Sequence, residues 1–464
     1  MSFDDLHAPA LPGAGRHHHV RSPARLFVLS FAALIAAGTL GFRVLPGIYT
    51  HDGLGWVDSL FMATSAVCVT GLSLLDAGRD LTFAGQLWLG LLIQLGGLGI
   101  LTLTTLAVAR LGRVSLSVEE AGGGGPVPLR YVDERALLRT VVSVTLALES
   151  VGAAALWLDW RGTLGGGGAV WPAVFHAVSA FCNAGFSLFS DSLLSWRTSP
   201  LTLGVVMLLV VLGGVGFVVM EDVRARVTGR APRLSVHTRL VLVTTVTLLA
   251  VGWIHYLVFE WSHELAPLPV LHKVTNALFM SVTARTAGFN TVDYAHVSNP
   301  TLFFTIILMI VGGSPGSTAG GLKTTTFATL LLAFWARVRG EKDVTAFHRS
   351  IPPETVARAA GLAVGGLMLL GSAVFLLMVT EAPVAGYRDR VHFLDVVFEA
   401  HSAFGTVGLS TGVTTGITPT GRVVLAFLMF VGRVGPVALV ASMISAAGRR
   451  KVPYRLARED VIIG

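Results

Sequence analysis

The chain has 464 residues, of which 53% are hydrophobic and only 13% are charged. Soluble domains carry about 25% charged residues, so this composition excludes an ordinary soluble protein and indicates a chain surrounded largely by lipid. The two cysteines, Cys68 and Cys182, are too few for a disulfide framework or a multi-cysteine zinc module, and we expect them to be small packing residues. Basic loops beside a membrane explain the net charge of +7, so we predict no nucleic-acid partner.

The chain opens with a polar segment that contains three prolines and three consecutive histidines, which predicts a disordered cytoplasmic tail over residues 1–25. Eight apolar stretches follow, each long enough to cross about 30 Å of hydrocarbon. They lie at 26–45, 84–109, 137–158, 200–220, 237–258, 301–336, 356–380 and 421–447. The prediction is an all-α membrane protein with eight transmembrane helices and membrane lipid as its surroundings.

Arginine and lysine are concentrated in five clusters between these stretches. The clusters lie at residues 16–25, 110–139, 224–239, 337–358 and 449–458. Eight crossings put all five clusters on the same side of the membrane, and an excess of basic residues marks the cytoplasmic side. We therefore predict a multi-pass protein with both termini in the cytoplasm.

A shorter apolar stretch lies between the two spans of each pair, and the four short stretches share one pattern. Each runs from a phenylalanine through Ser-Ala or Thr-Ala to a glycine, and the phenylalanine and the glycine are 10, 10, 9 and 10 residues apart. A second set of glycines begins 24 to 28 residues later, in the following span. These later glycines are Gly96, Gly213, Gly312 and Gly432. Agreement in register at four places predicts a unit of helix, re-entrant loop and helix that is used four times.

This repeat divides the chain into four pore repeats and a tail. Repeat 1 covers residues 26–110, and repeat 2, with its cytoplasmic linker, covers 111–223. Repeat 3 covers 224–340 and repeat 4 covers 341–447, and a cytoplasmic C-terminal tail, 448–464, completes the chain. Each short stretch is too short to span the bilayer, so we expect the four units to surround a central ion pore.

Four glycine-containing loops around one axis can aim backbone carbonyl oxygens at that axis, because glycine permits the backbone conformations required. A ring of carbonyls replaces the hydration shell of a monovalent cation. Divalent cations prefer carboxylates, which the four loops lack. We therefore predict a ring of carbonyl oxygens that favours K⁺-like monovalent cations. Its residues are Val69, Thr70, Gly71, Asn183, Ala184, Gly185, Thr286, Ala287, Gly288, Thr406, Val407 and Gly408.

With these motifs the chain resembles the Trk/Ktr/HKT superfamily of potassium transporters over almost its whole length. It is most similar to the KtrB membrane subunits, because it begins with the first repeat and ends in Glu459–Gly464. The resemblance implies that one glycine per repeat forms the selectivity filter, the part of the pore that binds K⁺. These glycines are Gly71, Gly185, Gly288 and Gly408. Some relatives with serine in the first loop prefer Na⁺, so the glycine here implies K⁺. The third loop is one residue shorter than the others.

The second span of repeat 3 is interrupted by residues 312–321, which contain five glycines and a proline, so no helix should continue through them. The resemblance implies an intramembrane gate loop below the filter, and a simple kink is the alternative. Arg433 should face the interior, where the resemblance implies an electrostatic barrier, whereas Lys323 could instead snorkel to the interface. The predicted gate residues are Gly312, Gly313, Ser314, Pro315, Gly316, Ser317, Thr318, Gly320, Gly321, Lys323 and Arg433.

We expect structural roles for the other charged and polar residues near the loops. Asp58 and Asp395 lie where short helices should begin, so we predict that they are N-caps. Glu149 is expected to make a hydrogen bond between helices, Arg285 to support the third loop, and His176 to pack on its short helix.

The resemblance implies K⁺ uptake across the bacterial cytoplasmic membrane by a homodimer that rests on a cytoplasmic, nucleotide-binding KtrA-like ring. Nothing in the sequence indicates bond-making chemistry, so we predict no catalytic residue, no enzyme activity and no organic cofactor. One alternative is a Na⁺-selective or Na⁺-coupled transporter of the same fold. Another is a secondary symporter for a small solute that binds at the broken span, although four repeats in one orientation argue against the inverted halves of such proteins.

Overall fold

The computed structural model describes residues 23–99, 134–381 and 391–435, so the two tails and the segment 100–133 with its basic residues lie outside the described residues. The described part contains fourteen α-helices, one β-hairpin and two short 3₁₀ turns, Leu194–Trp196 and Thr414–Gly416. The helices are α1 (Pro23–Val44), α2 (Trp56–Val67), α3 (Phe83–Gly99), α4 (Glu134–Leu164), α5 (Val170–Phe181), α6 (Pro200–Val215), α7 (Phe217–Val227), α8 (Val236–Glu260), α9 (Val270–Thr283), α10 (Asn299–Ile310), α11 (Thr324–Val338), α12 (Pro353–Glu381), α13 (Val391–Gly405) and α14 (Pro419–Val434).

The predicted helical class is confirmed, with one small exception between α11 and α12. There the strands β1 (Val344–Ala346) and β2 (Arg349–Ile351) pair in antiparallel register. Phe347 and His348 form the turn between them with φ angles of 50° and 65°. Two consecutive left-handed residues match the right-handed twist of a tight hairpin, but neither is a glycine or asparagine, so the sequence lacked the usual turn signal.

Four helices in the described part are long and apolar enough to cross a membrane by length and composition, namely α1, α4, α8 and α12. Each is followed by a short helix of 12 to 15 residues, which is α2, α5, α9 or α13. A second apolar helix comes next in every case: α3, α6, α10 or α14. The order of long helix, short helix and second helix thus occurs four times.

The second helices are less regular than the predicted spans. The apolar stretch 200–220 is not one continuous helix, because α6 and α7 meet at Gly216 (φ 89°) with a bend of 97°. The last carbonyls of α6 do not continue the helix, since the Gly213 oxygen accepts a hydrogen bond from the Thr318 N–H at 3.1 Å. In repeat 3, α10 and α11 are separated by residues 311–323, as the glycine-rich sequence predicts.

Acidic residues at or near the ends of three long helices bond to the N-cap residues of the second helices. Their carboxylates accept hydrogen bonds from the hydroxyl at the N-cap of the second helix in the same repeat, at distances of 2.5 to 2.7 Å. The pairs are Asp159 with Ser199, Glu260 with Ser298, and Glu381 with Thr418. A carboxylate buried among apolar helices is stable only when such donors satisfy it, so each pair fixes the return of the chain after the short helix.

The first and last repeats are in direct contact. Phe61 of α2 and Met429 of α14 belong to one buried apolar cluster, and Arg422 of α14 donates to the Asp58 carboxylate of α2 at 2.5 Å. The predicted N-cap role of Asp58 is therefore wrong, because Gly55 occupies the N-cap and Asp58 lies in the first turn. Asp395 lies in the second turn of α13 and is not an N-cap either.

Candidate functional site

The four loop glycines lie side by side in one closed ring. A Cβ atom added to Gly71 would lie 2.6 Å from the carbonyl oxygen of Ala184 and 3.1 Å from the Cα of Gly185. The same atom on Gly185 would lie 2.8 Å from the Cα of Gly288, and one on Gly288 would lie 3.3 Å from the Cα of Gly408. The circuit closes at Gly408, where an added Cβ atom would lie 3.0 Å from the Cα of Gly71. No side chain fits at any of the four positions.

All four loops share one unusual backbone conformation. Each glycine has a positive φ angle of 97°, 68°, 81° or 90° in chain order, and so does the non-glycine residue two positions before it. These preceding residues are Val69 (48°), Asn183 (58°), Thr286 (71°) and Thr406 (49°). A left-handed conformation costs a non-glycine residue about 1–3 kcal/mol and is retained mainly at functional sites.

The loop N–H groups point back toward the short helices. The Thr70 N–H donates to the Ser65 carbonyl oxygen at 2.8 Å, and the Gly71 N–H donates to the Ser65 hydroxyl at 3.2 Å. Repeat 4 has the same bond from the Gly408 N–H to the Ser402 hydroxyl at 3.0 Å. Because the N–H and C=O of one trans peptide point in opposite directions, the Thr70 carbonyl points away from α2 and into the ring.

Three threonine hydroxyls add to the oxygen atoms around the ring. The Oγ1 atoms of Thr70, Thr286 and Thr406 are buried, and within the described residues they have no hydrogen-bond partner. Thr70 lies one position before its ring glycine, whereas Thr286 and Thr406 lie two positions before theirs. Buried polar groups nearly always have a partner, so unsatisfied hydroxyls in three of the four loops indicate a site for a polar or charged ligand. The described part of the chain holds no cluster of three His, Cys, Asp or Glu residues able to bind a metal ion, so the ring offers oxygen atoms without carboxylates.

A cavity of about 300 Å³ adjoins the ring and is lined by the four glycines and by residues that follow them in their loops. Its polar lining includes Ser73, Asp76, Ser187, Ser190, Ser192 and Asn290. The cavity is wide enough for several water molecules, so a hydrated ligand can reach the ring from this side.

The glycine-rich segment 312–321 lies against the opposite side of the ring. The Thr318 hydroxyl donates to the carbonyl oxygen of Phe181, which ends α5, at 3.2 Å. A Cβ atom on Gly320 would lie 2.8 Å from Cγ2 of Thr406. Both contacts are to residues that precede a ring glycine, whereas the cavity is lined by residues that follow one.

Other repeats hold the segment 312–321 in place through its backbone. The Ser314 N–H donates to the Gly214 carbonyl oxygen of α6 at 3.0 Å, and the Gly321 N–H donates to the Gly432 carbonyl oxygen of α14 at 3.2 Å. The segment therefore connects α10 and α11 to repeats 2 and 4 and differs from a simple kink within one helix.

Arg433 lies in the interior, as expected for an arginine within an apolar span. Its side chain is 2% exposed, and its guanidinium donates to the carbonyl oxygen of Thr318 and, at 3.3 Å, to that of Gly96 in α3. An unpaired buried cation would be strongly destabilising, and the segment carbonyl is one of the groups that satisfy it.

Two more cationic side chains donate to carbonyl oxygens of the same segment. The Lys323 ammonium bonds to the Ala319 oxygen at 2.5 Å, and the Arg285 guanidinium bonds to the Gly312 oxygen at 2.7 Å. The snorkelling alternative for Lys323 is wrong because the ammonium folds back onto the segment. Arg285 supports the segment next to the third loop, which agrees with its expected structural role.

The remaining polar residues assume the predicted packing roles. Glu149 of α4 accepts a hydrogen bond from the Gln94 amide of α3 at 3.1 Å, which confirms the predicted bond between helices. The free thiol of Cys182 lies 3.6 Å from Oε1 of Gln94. His176 is fully buried, and its ring stacks on Phe189 with 4.7 Å between centroids.

The repeated sequence motif predicts no role for Glu399, although this residue lies nine positions before the ring glycine Gly408. Glu399 is fully buried and accepts hydrogen bonds from two hydroxyls that follow the ring glycine. The signal was available, because a carboxylate is costly on the apolar side of a short helix and the equivalent residue in repeat 2 is also polar.

Apolar helices that enclose a ring of backbone oxygens define a membrane protein that handles cations. The chain belongs to the TrkH family of cation transport proteins, whose family model matches residues 34–448. The superfamily inferred from the motifs is therefore confirmed, and the protein is a membrane-embedded transporter of that family.

The chain is similar to several named proteins over most of their length. It is 36% identical to the potassium/sodium uptake protein NtpJ of Enterococcus hirae, with 96% of this chain and 97% of that protein covered. It is also 36% identical to the Ktr system potassium uptake protein B of Vibrio alginolyticus (89% and 90% covered) and 34% identical to the protein of the same name from Bacillus subtilis (91% and 93%). The crystal structure of the potassium transporter TrkH from Vibrio parahaemolyticus has the same fold, with a TM-score of 0.72, 20% identity, and 94% of this chain and 88% of that chain covered.

Proposed function

We propose that this chain conducts K⁺ into the cell across the bacterial cytoplasmic membrane through the ring of four glycines. The observation that carries the proposal is the closed circuit from Gly71 through Gly185 and Gly288 to Gly408, with a carbonyl oxygen between neighbours. Carbonyl rings replace the hydration shell of K⁺, and the orphaned threonine hydroxyls offer further oxygens. The names of the relatives as potassium uptake proteins support the same ion.

The pore in this proposal has eight crossings in four repeats around one central axis. The long helices α1, α4, α8 and α12 form the outer wall, and the second helices line the pathway on the side of the ring opposite the cavity. The filter consists of the three loop residues of each repeat that end at the ring glycine. Irregular backbone at membrane depth is tolerated where it lines such a pathway.

The segment 312–321 is the gate in this proposal, with Lys323 and Arg433 as the charges that close it. It lies directly against the ring, and both side chains donate to its carbonyl oxygens. A segment in this position blocks ions that leave the filter, and two nearby positive charges raise the energy of a passing cation. Opening requires the segment to leave its contacts with repeats 2 and 4.

The basic clusters support an orientation with the connections after α6 and α11, and both termini, in the cytoplasm. Arg224 and Arg226 follow the bend at Gly216, and Arg337 and Arg339 end α11. We propose that this face of a homodimer binds a separate ring of nucleotide-binding subunits. The names of two relatives refer to a Ktr system, which supports a system with more than one component.

The second candidate is a Na⁺-selective or Na⁺-coupled transporter with the same ring. The observation that favours it is the name of a 36% identical relative, a potassium/sodium uptake protein. A symporter for a small solute has less support. Such a protein would bind its solute at the broken span, but several backbone groups of residues 311–323 are already hydrogen-bonded within the chain.

The test measures K⁺ and Na⁺ flux into liposomes that contain the purified full chain. A variant that lacks residues 314–320 is measured in parallel, so that flux through the ring is detected even if the gate is closed in the full chain. We expect saturable flux with K⁺ exceeding Na⁺. Greater Na⁺ flux would favour the second candidate, and no cation flux in either protein would overturn the proposal.

A further inference from the structure

Each short helix carries a residue that lies behind its own loop. This helix residue is nine positions before the ring glycine, or eight in the shorter third repeat, and its partner is two positions after the glycine. In three repeats the two residues are in contact, at 3.6 Å and 2.9 Å in repeats 1 and 2. The contacting pairs are Met62 with Ser73, His176 with Ser187, and Glu399 with Ser410. The third-repeat equivalents are Met280 and Asn290.

Repeat 4 has a carboxylate at this position, and both of its oxygens accept hydrogen bonds from residues after the ring glycine. Oε1 of Glu399 accepts a hydrogen bond from the Ser410 hydroxyl, and Oε2 accepts one from the Thr414 hydroxyl at 3.0 Å. The Ser410 oxygen also accepts the Gly412 N–H at 2.9 Å. In the described part of the chain, no lysine, arginine or histidine forms an ion pair with Glu399, so hydroxyls and backbone are its partners.

Glu399 differs from the buried carboxylates that bond to helix N-cap residues. Glu381 and Glu260 are bonded to the N-cap residues of α14 and α10, outside the ring loops. Glu399 is instead bonded to residues 410–414, which directly follow the ring glycine Gly408. Burial of a carboxylate costs several kcal/mol unless hydrogen bonds compensate it, so a packing residue such as methionine would satisfy a purely structural need more cheaply.

The position of the fourth loop controls the geometry of the ring on two sides. Gly408 faces the Cα of Gly71, and a Cβ on Gly288 would lie 2.5 Å from the carbonyl oxygen of Val407. Displacement of residues 408–410 therefore changes the distances between oxygens from three repeats. A filter distinguishes K⁺ from the smaller Na⁺ through the arrangement and number of these oxygens.

We infer that Glu399 is a positioning residue that sets the ion selectivity of the ring by holding the fourth loop through Ser410 and Thr414. It contacts no ion itself. The inference rests on the proposed cation conduction through the ring and goes beyond it, because it assigns the setting of selectivity to one repeat and one side chain outside the filter.

The experiment measures the ratio of K⁺ to Na⁺ flux in liposomes for the full chain and three variants. Glu399→Ala removes both acceptor oxygens, and we expect the ratio to fall about tenfold. Glu399→Gln keeps one acceptor oxygen and should recover part of the ratio. Glu381→Gln is the matched control, a buried carboxylate of the same repeat whose loss should lower thermal stability and leave the ratio unchanged.

Ser410→Ala provides a second route, since it removes one bond to the loop and leaves Glu399 held by Thr414. We expect a smaller fall in the ratio, of about threefold, even if Glu399→Ala fails to fold. A folded Glu399→Ala or Ser410→Ala protein with the wild-type ratio overturns the inference. If the wild type itself shows no preference for K⁺, the proposed function fails as well, so the two failures are distinguishable.

Discussion

The ring loops and the segment 312–321 lie against each other but are held in opposite ways. Each ring loop is bonded to its own short helix, as the bonds from Thr70 and Gly71 to Ser65 show. The segment is bonded to other repeats as well as to its own, through carbonyls of α6 and α14 and through the side chain of Arg433.

This difference in hydrogen bonding suggests that the ring loops are fixed, whereas the segment 312–321 can be released from its contacts with other repeats. A loop bonded within its own repeat keeps its shape when the repeats shift relative to one another. The contacts of the segment depend on the relative positions of repeats 2, 3 and 4, so a small movement of α6 or α14 breaks several of them together. The four changes below test this division, beginning with the largest expected effect.

Deletion of residues 314–320 removes the segment and leaves the ring intact. Val311 and Leu322, which flank the deletion, form a parallel β-bridge, so the chain on the two sides of the deletion lies close together. We expect K⁺ flux in liposomes to rise on the order of a hundredfold, because a closed state no longer exists. The ratio of K⁺ to Na⁺ flux should be retained, and unchanged flux would show that the segment is not a gate.

Arg433→Gln weakens the attachment of the segment without changing its length. The shorter, neutral side chain loses the bond to the Thr318 carbonyl oxygen, and a bond from a charged donor is worth about 1.5–3 kcal/mol. We expect about a tenfold rise in K⁺ flux with the selectivity unchanged. Arg422→Gln is the control on the same helix, because Arg422 pairs with Asp58 and not with the segment; an equal rise in both variants would contradict the role of Arg433.

Gly71→Ser tests the ring without touching the segment. Gly71 has a φ angle of 97°, and a Cβ there would lie 2.6 Å from the Ala184 carbonyl oxygen, so serine must displace one of the two loops. We expect the ratio of K⁺ to Na⁺ flux to fall roughly tenfold. Gly204→Ser is the matched control, since a Cβ on Gly204 meets no atom within 4 Å; a wild-type ratio in Gly71→Ser would exclude Gly71 from the filter.

Ser314→Ala is the mildest change. It removes the hydroxyl that bonds to the Val215 carbonyl oxygen at the bend between α6 and α7. One neutral hydrogen bond is worth about 0.5–1.5 kcal/mol, so we expect K⁺ flux to rise about threefold. The same measurement on Ser372→Ala, whose hydroxyl bonds within its own helix, should match the wild type. A lower flux in Ser314→Ala would indicate that the hydroxyl stabilises the open state.

The features that could be predicted from the sequence are those with a local cause. The left-handed backbone of the four loops depends on glycines whose spacing repeats along the chain, and the break at residues 312–321 depends on helix-breaking residues within it. The interior position of Arg433 follows from the cost of an arginine facing lipid. In each case the determining residues lie within about ten positions of the feature.

The features that escaped prediction depend on distant partners. The bend at Gly216 exists because the carbonyls of α6 bond to a segment about 100 residues later, and an isolated apolar stretch looks continuous. Asp58 reads as an N-cap until Arg422 is known to lie beside it. The role inferred for Glu399 likewise depends on its hydrogen bonds to Ser410 and Thr414, which follow Gly408 and which helix periodicity does not predict.

The contact between the first and last repeats has a consequence for the biosynthesis of the protein. Gly71 needs Gly408 as its neighbour, and 336 residues lie between them in the chain. At about 5–20 residues per second, the first loop waits on the order of half a minute before its neighbour emerges. During that time the fourth repeat is absent, and Asp58 lacks its partner Arg422. A nascent or truncated chain therefore cannot form the complete ring. The ring of four glycines can therefore close only after the last repeat has been translated.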